Sequence, residues 1–313
     1  MALYAIGECL IDFIPNQSGA PDDDSLYRPA VGGAPLNVAA AYAKMGGSSY
    51  ILSQVGDDDF GRLIERKAAA VGVDTRYLRR SSQAKTGLAF VSLLDNGERS
   101  FSFYRSPSAD MLYQPEYVDE IAAQAGDILH FCSVALMPSP MREAHRRAIE
   151  RFRAAGGLIS FDVNVRLPLW KNPQDLYQAI WDFLPLADIV KISDDELAFV
   201  SGSEKAEEGM MSLFVGAVRH VILTAGAQGA SYYQATGKTA AVESIAVKAV
   251  DATGAGDAFI GTFLAHWHSH HHQMSGLLHL AAAAGAMTTL QRGAINSIPT
   301  RSELDAFLKE HSK

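Results

Sequence analysis

The sequence predicts an α/β fold, in which a mostly parallel sheet has helices on both faces and carries a small β-sheet lid. Strand patterns alternate with helical patterns from residue 127 onward, as is typical of parallel sheets. Residues 86 to 105 interrupt this alternation with two β-rich runs joined by Asn96-Gly97, a strong hairpin signal. The 313 residues can bury a sizeable core. We expect a single domain over 1–313, with lid segments at about 12–31 and 86–110.

Each predicted element follows from its residue pattern. Leu3 to Ile11 forms an apolar run that predicts one buried strand, ending at Asp12. Paired glycines, an early proline and an alanine-rich stretch predict a helix between Gly32 and Gly47. The remaining predicted strands are Ser49–Val55, Thr86–Leu94, Ser100–Arg105, Asp127–Val134, Leu158–Asn164, Asp188–Ile192 and His220–Thr224. The remaining predicted helices include one ending near Gly72, Pro140–Ala155 and Pro173–Leu184.

Composition narrows the classes of function. A net charge of -8 provides no basic surface for nucleic acid or an anionic membrane, so any phosphate site must be local. The only two cysteines, Cys9 and Cys132, lie in apolar runs and are expected to be buried free thiols. The N-terminus lacks a basic segment, and no apolar run approaches the roughly 20 residues that span a bilayer. We therefore expect no membrane association and a cytoplasmic location.

The stretch from Asp251 to Phe259 is the most informative motif in the chain. Gly254 and Gly256 permit tight turning, and the apolar residues from Phe259 to Trp267 have the spacing of one helix face. We expect a loop that enters a helix, where the amides of residues 254 to 256 and the helix dipole favour an anion.

Asp257 stands out, because a carboxylate one turn into an anion site is electrostatically costly. It could take a proton from a hydroxyl group that attacks a bound phosphoryl group. Alternatively, it is a helix-capping aspartate. The stretch is not a dinucleotide-binding fingerprint, since Phe259 occupies the third glycine position, and the chain contains no P-loop.

Polar side chains at the ends of predicted strands indicate a ligand site, because α/β sheets bind ligands there. Asp12 follows the first strand, and Asp162, Asn164 and Arg166 alternate where a later strand ends, so they point to one side. Asn37 lies in the first turn of the glycine-led helix and is placed to hydrogen-bond a polyol. Turn or cap chemistry is the alternative role of Asp12 and Asn37.

Three further segments carry candidate contacts. Arg105 belongs to a polar run, 104–110, that is either a sugar-facing edge or an exposed loop. Lys191 to Glu196 places acids at a strand end, where they could order the water around Mg²⁺. Thr224 to Gly229 is a strand followed by a Gly-x-x-Gly turn, suited to a flat or phosphorylated ligand. Plain turn chemistry would also explain the last two segments.

Three motifs together resemble the PfkB/ribokinase family of carbohydrate kinases over essentially the whole chain. They are the run from Gly32 to Gly61, the Asp-x-Asn-x-Arg pattern at 162–166, and Asp251 to Leu264. The resemblance implies a ribokinase-like fold, ATP as co-substrate, Mg²⁺ and, commonly, a monovalent cation such as K⁺. Residues 104–110 and 162–170 are most similar to the fructokinase branch, which implies phosphorylation of D-fructose to fructose 6-phosphate.

The resemblance implies a role for each matching residue. Asp257 would be the general base, and Gly254, Ala255 and Gly256 would form the anion hole. The sugar would be bound by Asp12, Gly32, Gly33, Asn37, Arg105, Asn164 and Arg166. The ATP site would include Lys191, Glu196, Thr224, Gly226, Gly229, Gly254 and Gly256. Glu196 would bind Mg²⁺ through water, and Asp251 and Thr253 would hold the monovalent cation. Ser193 replaces the Asn of the family's Asn-x-x-Glu motif, so the role of that position stays open.

The residues leave alternative functions open. Arg105 and Arg166 would also suit the carboxylate of a sugar acid, as in 2-keto-3-deoxygluconate kinases. An aminoimidazole riboside kinase is a third relative, although the surroundings of Arg105 fit it less well. From another class, the chain could be a non-catalytic sugar or nucleotide sensor, but such a sensor would not need Asp257.

Two further features bear on assembly and on metal binding. Exposed lid strands could pair across a homodimer. The run from His266 to His272 invites a metal interpretation. Adjacent histidines in a flexible connection between helices rarely converge on one ion, so we expect no native metal site there.

Overall fold

The computed structural model describes residues 1–15, 26–93, 99–270 and 273–311. Its strands are, in chain order, β1 (Ala2–Ile6), β2 (Leu10–Pro15), β3 (Tyr27–Gly32), β4 (Ser48–Gly56), β5 (Val73–Asp74), β6 (Leu78–Ser81), β7 (Gly87–Leu93), β8 (Arg99–Tyr104), β9 (Ile128–Cys132), β10 (Leu158–Asp162), β11 (Ile189–Ser193), β12 (His220–Thr224), β13 (Ala230–Gln234) and β14 (Gly237–Val242). Its α-helices are α1 (Ala34–Lys44), α2 (Asp59–Ala70), α3 (Pro140–Ala154), α4 (Pro173–Phe183), α5 (Asp194–Ser201), α6 (Ala206–Ser212), α7 (Ala255–His270), α8 (Met274–Thr288) and α9 (Arg301–His311).

The main sheet confirms the predicted α/β class. Its strand order is β14-β13-β12-β11-β10-β9-β1-β4-β5, with β6 paired to β4. The pairs from β12 through β1 to β4 are all parallel, so their carboxyl ends lie along one edge of the sheet. In this register Asp162 lies beside Lys191. The strand ends that the sequence analysis singled out are therefore neighbours.

The predicted small sheet is a separate four-stranded sheet with the order β3-β2-β7-β8. The strands β7 and β8 are antiparallel, as the hairpin prediction requires. The predicted Asn96-Gly97 turn itself lies outside the described residues. The first lid strand begins at Leu10, slightly before the predicted segment that starts at residue 12.

The prediction of one continuous strand over Leu3–Ile11 is wrong. The chain breaks after Ile6, so β1 belongs to the main sheet and β2 to the lid. Gly7 makes the break with a φ of 143°, and a Cβ at this position would lie 2.7 Å from Pro35 Cγ. Both strands are largely buried and apolar, and for this reason the run looks continuous in the sequence.

Two strands at one edge of the main sheet were not predicted. Within the described residues, β13 and β14 extend the sheet beyond β12 as antiparallel neighbours. The sequence signal for this hairpin is the Thr236-Gly237 pair at the start of β14. The burial of Ala230 to Gln234 alternates as expected for a strand. Together they make the sheet mixed at this edge and parallel at its centre.

Close packing of α7 on α1 sets the position of the key motif. The apolar side chains predicted to share one face of α7, from Phe259 to Trp267, are buried. Gly261 faces α1, where an added Cβ would lie 2.5 Å from Ala41 Cβ and 2.7 Å from the Val38 carbonyl oxygen. The missing side chain allows the two helices to touch, which brings their first turns together.

The histidine run continues α7 rather than forming a loop over its first part. Residues 266 to 270 are helical, and His266 Nδ1 lies 3.0 Å from the Thr262 carbonyl oxygen. Residues 271 and 272 lie outside the described residues. In the part of the chain that the structure describes, no helix has the length and hydropathy to cross a membrane.

Candidate active site

A cavity of about 980 Å³ opens at the carboxyl ends of the parallel strands, between the main sheet and the lid. Its volume suits a nucleotide and a small second ligand together. Most of the predicted site residues line it, namely Asp12, Gly33, Asn37, Asn164, Arg166, Lys191, Glu196, Thr224, Gly226, Gly229, Thr253, Gly254, Ala255, Gly256 and Asp257. The fold therefore brings residues from distant parts of the sequence to one site.

Three predicted site residues lie behind the cavity wall, namely Gly32, Arg105 and Asp251. Gly32 packs against Asp12, because a Cβ at this position would lie 2.2 Å from Asp12 Oδ2. Arg105 is buried and pairs with Asp110. In this conformation Arg105 does not reach the cavity. Its role as a sugar ligand stays a prediction.

The turn before α7 has the backbone conformation that the motif predicts. Gly254 has a φ of 79°, and a Cβ there would lie 3.1 Å from Ala294 Cβ, so both conformation and space favour glycine. The Ala255 amide donates to the Ala252 carbonyl at 3.2 Å and is thus not free, contrary to expectation. Among the described residues, the amides of Gly254 and Gly256 donate to no backbone carbonyl. These two amides are the ones available to an anion.

Asp257 faces the cavity from the first turn of α7. Its Oδ2 accepts a hydrogen bond of 2.8 Å from Asn37 Nδ2 in the first turn of α1. Burial raises the pKa of Asp257, while the hydrogen bond from Asn37 and the charges of Lys191 and Arg166 act in the opposite direction. The carboxylate is thus held in place by a side-chain partner, and its proton affinity is tuned upward, as a base requires.

The pH dependence of catalysis should report this hydrogen bond. A base must be deprotonated, so activity should be lost as the pH falls through the pKa of Asp257. Asn37→Ala removes a donor that stabilises the carboxylate, which should raise that pKa and move the acid limb of kcat/KM upward by about one pH unit. Gln114→Ala, whose amide donates to a backbone carbonyl outside the cavity, should leave the profile unchanged. An unmoved acid limb in Asn37→Ala would show that Asp257 is not the titrating base.

A group of carboxylate and amide side chains surrounds the space beside Asp257. Asp12 reaches it from β2 of the lid, and burial raises the pKa of Asp12 to about 7, with Asp257 adding to the rise and Arg166 opposing it. Gly33 has a φ of 108°, and a Cβ there would lie 2.4 Å from the Glu8 carbonyl oxygen. Asn37 has a buried Oδ1 without a hydrogen-bond partner among the described residues. Such an unpaired acceptor suits a ligand that carries hydroxyl groups.

Lys191 brings a positive charge to the anion-binding turn. Its Nζ lies 3.0 Å from both carboxylate oxygens of Asp162 and 3.0 Å from the point where a Gly256 Cβ would lie. Burial acts to lower the pKa of Lys191, but the carboxylates of Asp162 and Glu196 outweigh it, so the pKa is raised and the ammonium stays charged. An anion at the turn would therefore meet a buried cation.

Glu196 and Asp251 both have structural partners in addition to their predicted metal roles. Glu196 caps α5 by accepting from the Ser193 amide at 2.9 Å, and its other oxygen accepts from the Val165 amide at 2.8 Å. Asp251 accepts from the amides of Thr253 at 2.8 Å and Gly293 at 3.1 Å. Both carboxylates are fixed in orientation by backbone amides.

Thr224, Gly226 and Gly229 line the cavity together with several residues that were given no role from the sequence. The segment from Ser244 to Ala249 and one face of α8 also line the cavity. The α8 residues are small, namely Ala282, Gly285 and Ala286. Small residues clustered on one helix face permit close approach of a ligand, and this cluster was the sequence signal for α8 as part of the cavity.

Two charged residues that line the cavity were also given no role from the sequence. Asp162 and Glu8 both line the cavity. Asp162 was noticed as part of the alternating polar pattern but was not assigned a role. The signal for Glu8 was a single charged residue inside an apolar run, because buried charges are rare unless they are paired.

Comparisons with known proteins agree with this geometry. The model of the pfkB family of carbohydrate kinases matches residues 2–301. A probable fructokinase of Arabidopsis thaliana, fructokinase-4, is 38% identical over 98% of this chain and 96% of its own length.

Two solved structures share the fold over nearly their whole length. The fructokinase of Xylella fastidiosa with bound ATP has a TM-score of 0.88 and 32% identity, covering 100% of this chain and 99% of that one. A double mutant of the fructokinase of Vibrio cholerae O395, solved with fructose, ADP and a potassium ion, has a TM-score of 0.89 and 34% identity, covering 98% of each chain. The ribokinase-like fold and the family resemblance are thereby confirmed. This chain belongs to the pfkB family of carbohydrate kinases.

Proposed function

We propose that this chain is an ATP-dependent fructokinase, which converts ATP and D-fructose to ADP and D-fructose 6-phosphate. The observation that carries the proposal is the position of Asp257. It shares one cavity with the anion-binding turn and with the polar groups Asp12 and Asn37. Fructokinases that are similar over nearly the whole chain support the choice of sugar.

The proposed reaction needs positioning and charge stabilisation more than covalent catalysis. Asp257 takes the proton from the 6-hydroxyl group of the sugar. The new bond forms between that oxygen and the γ-phosphorus, while the bond from the γ-phosphorus to the bridging oxygen of ADP breaks. The amides of Gly254 and Gly256 and the ammonium of Lys191 stabilise the negative charge of the transferring group. Asp12 and Asn37 orient the sugar.

We propose that Mg²⁺ accompanies ATP and that a monovalent cation supports the turn. Glu196 lines the cavity with a carboxylate oriented by two amides, and its remaining lone pairs can accept from the water around Mg²⁺. Bound Mg²⁺ would neutralise phosphate charge. Asp251 and Thr253 lie next to the turn and fit a K⁺ ion there, in keeping with the potassium ion bound to the relative from Vibrio cholerae O395. Titrating each ion into metal-free enzyme tests both assignments.

The choice of substrate can be tested with purified protein. We expect ATP-dependent ADP release with D-fructose, at a kcat/KM at least about tenfold above that with ribose, 2-keto-3-deoxygluconate or aminoimidazole riboside. Identification of the product as fructose 6-phosphate would establish the position of transfer. The control without sugar measures background ATP hydrolysis.

Other outcomes of this assay would support the alternatives. Preference for 2-keto-3-deoxygluconate would indicate that the exposed Arg166 binds a carboxylate. Preference for aminoimidazole riboside would assign the chain to that group of kinases. Measurable sugar binding without any ADP release would support a sensor, despite the intact Asp257.

We propose a homodimer that forms through the outer face of the lid. Phe13, Phe90 and Tyr104 form an aromatic ladder, with ring centroids 4.8 Å and 5.4 Å apart, and Tyr104 is 65% exposed. A second copy of the lid would cover this surface. Sedimentation of the wild type as a monomer at micromolar concentration would contradict the dimer.

We also propose a cytoplasmic location. The two cysteines, Cys9 and Cys132, are buried and free, which suits a reducing compartment that supplies ATP. Cell fractionation with an antibody to the chain would test this location.

A further inference from the structure

The chain passes between the main sheet and the lid at several places, and a buried charged cluster lies where these connections meet. Glu8 lies between β1 and β2, and Arg105, Ser108 and Asp110 lie directly after β8. We call these four residues the hinge cluster. Each is at most 3% exposed. Fully buried charges are rare unless they are paired, so this arrangement calls for a physical explanation.

Arg105 and its partners attach the end of β8 to the main domain. The Arg105 guanidinium donates to the Asp110 carboxylate and, at 3.4 Å, to the Val134 carbonyl oxygen. Ser108 donates to the same carboxylate. The first residue of β7, Gly87, packs on this group, since a Cβ there would lie 3.3 to 3.4 Å from atoms of Arg105, Asp110 and Ser108. Both strands of the lid hairpin therefore meet the cluster.

Glu8 extends the cluster to the helix that carries Asn37. Its Oε1 accepts a hydrogen bond of 2.9 Å from the amide of Ala34, the first residue of α1. Asn37 lies one turn further along α1 and donates to Asp257. A continuous path thus runs from the cluster through the first turn of α1 to the base.

The electrostatics of Glu8 depend on the same cluster. Burial raises the pKa of Glu8 to about 7, Arg105 opposes the rise and Asp110 adds to it. The Cys132 thiol is 3.8 Å from Oε2. Arg105, the backbone amide of Glu8 and the Ala34 amide all favour the charged form of Glu8. Losing the hydrogen bond from Ala34 would loosen the start of α1.

We propose that Glu8 is a positioning residue, which holds the first turn of α1 through the Ala34 amide and thereby keeps Asn37 and Asp257 in register for transfer to the sugar. This inference deepens the proposed function and rests on it. In the absence of ligand, Glu8 fixes α1 through Ala34.

Two variants of similar volume separate the contacts of Glu8. Glu8→Gln keeps an oxygen acceptor for the Ala34 amide but removes the charge facing Arg105, whereas Glu8→Leu removes both. We expect kcat/KM for fructose to fall about tenfold in Glu8→Gln and about 100-fold in Glu8→Leu, because small misplacements of reacting groups are costly. KM for ATP should stay within about twofold of the wild type.

Asp127→Asn provides a matched control. Asp127 is another buried carboxylate that accepts two backbone amides, from Ala2 at 2.8 Å and Gln124 at 3.0 Å, and it does not line the cavity. This variant should lose stability to a degree similar to Glu8→Gln but should keep wild-type kinetics. Equal kinetic effects at both positions would overturn the proposal, because they would reflect general destabilisation.

Hydrogen–deuterium exchange of the ligand-free protein supplies a readout independent of activity. Peptides covering residues 34 to 37 should exchange at least about tenfold faster in Glu8→Leu, which lacks the acceptor for the Ala34 amide, than in the wild type, as local opening becomes easier. A raised KM for fructose with unchanged exchange would overturn positioning and indicate direct sugar contact by Glu8. Failure of the wild type to phosphorylate fructose would instead refute the proposed function, while the exchange result would still decide the role of Glu8.

Discussion

Asp257→Asn should reduce kcat with fructose by about 10² to 10⁴-fold, because the general base is lost. The substitution is nearly isosteric, and the new side-chain oxygen can still accept the hydrogen bond that Asn37 donates to Asp257. We therefore expect a free energy of unfolding close to that of the wild type and little change in nucleotide affinity. Initial rates of ADP release, combined with urea unfolding and calorimetric binding of ADP, would measure all three quantities.

The Asp127→Asn variant described above serves here as a control for mutation of a buried carboxylate. It should retain the wild-type rate. If Asp257→Asn kept most of its activity while folding normally, Asp257 would be a helix-capping residue and another group would have to act as the base.

Lys191→Met should show the second largest effect, on both stability and activity. The substitution leaves the Asp162 carboxylate buried without its cationic partner, and breaking a buried pair in this way costs about 3 to 5 kcal/mol of unfolding free energy. Loss of the cation beside Gly256 should also lower kcat by about 10² to 10³-fold, as for other groups that stabilise developing charge. Denaturant unfolding and steady-state kinetics would record the two effects.

A double variant separates these two effects. Combining Lys191→Met with Asp162→Asn removes both charges, so most of the lost stability should return. Activity should stay low, because the phosphoryl group would still lack its cation. Recovery of activity together with stability would show that Lys191 acts only through the fold.

The order of strands and helices could be predicted because most elements carry their own signal. The alternation after residue 127 and the hairpin around Asn96-Gly97 each predicted a real sheet. The break at Gly7 could not be predicted from hydrophobicity, because the residues on both sides are buried, in the main sheet and in the lid. Gly7 and the charged Glu8 directly after it were the local signals, and neither by itself specifies a break.

The site was predictable where the chemistry depends on a short motif and much less so where it depends on packing. The turn at Gly254 was predicted from local residue types, which left Asp257 as either a base or a helix cap, and the family resemblance implied the base. The structure places Asp257 beside Asn37, which lies far away in sequence. Arg105 was predicted to bind the sugar, and that role stays a prediction, because the structure buries Arg105 in the hinge cluster, paired with Asp110. Whether an arginine faces a ligand or a neighbouring acid depends on the tertiary fold, and no local pattern encodes that choice.

The direct test of the central claim is a crystal structure of Asp257→Asn with fructose and ATP bound. The 6-hydroxyl group of fructose should lie about 2.6 to 3.2 Å from the side chain of residue 257. The γ-phosphate should contact the amides of Gly254 and Gly256. A sugar bound with that hydroxyl group directed away from residue 257, or a γ-phosphate distant from the turn, would contradict the proposed mechanism.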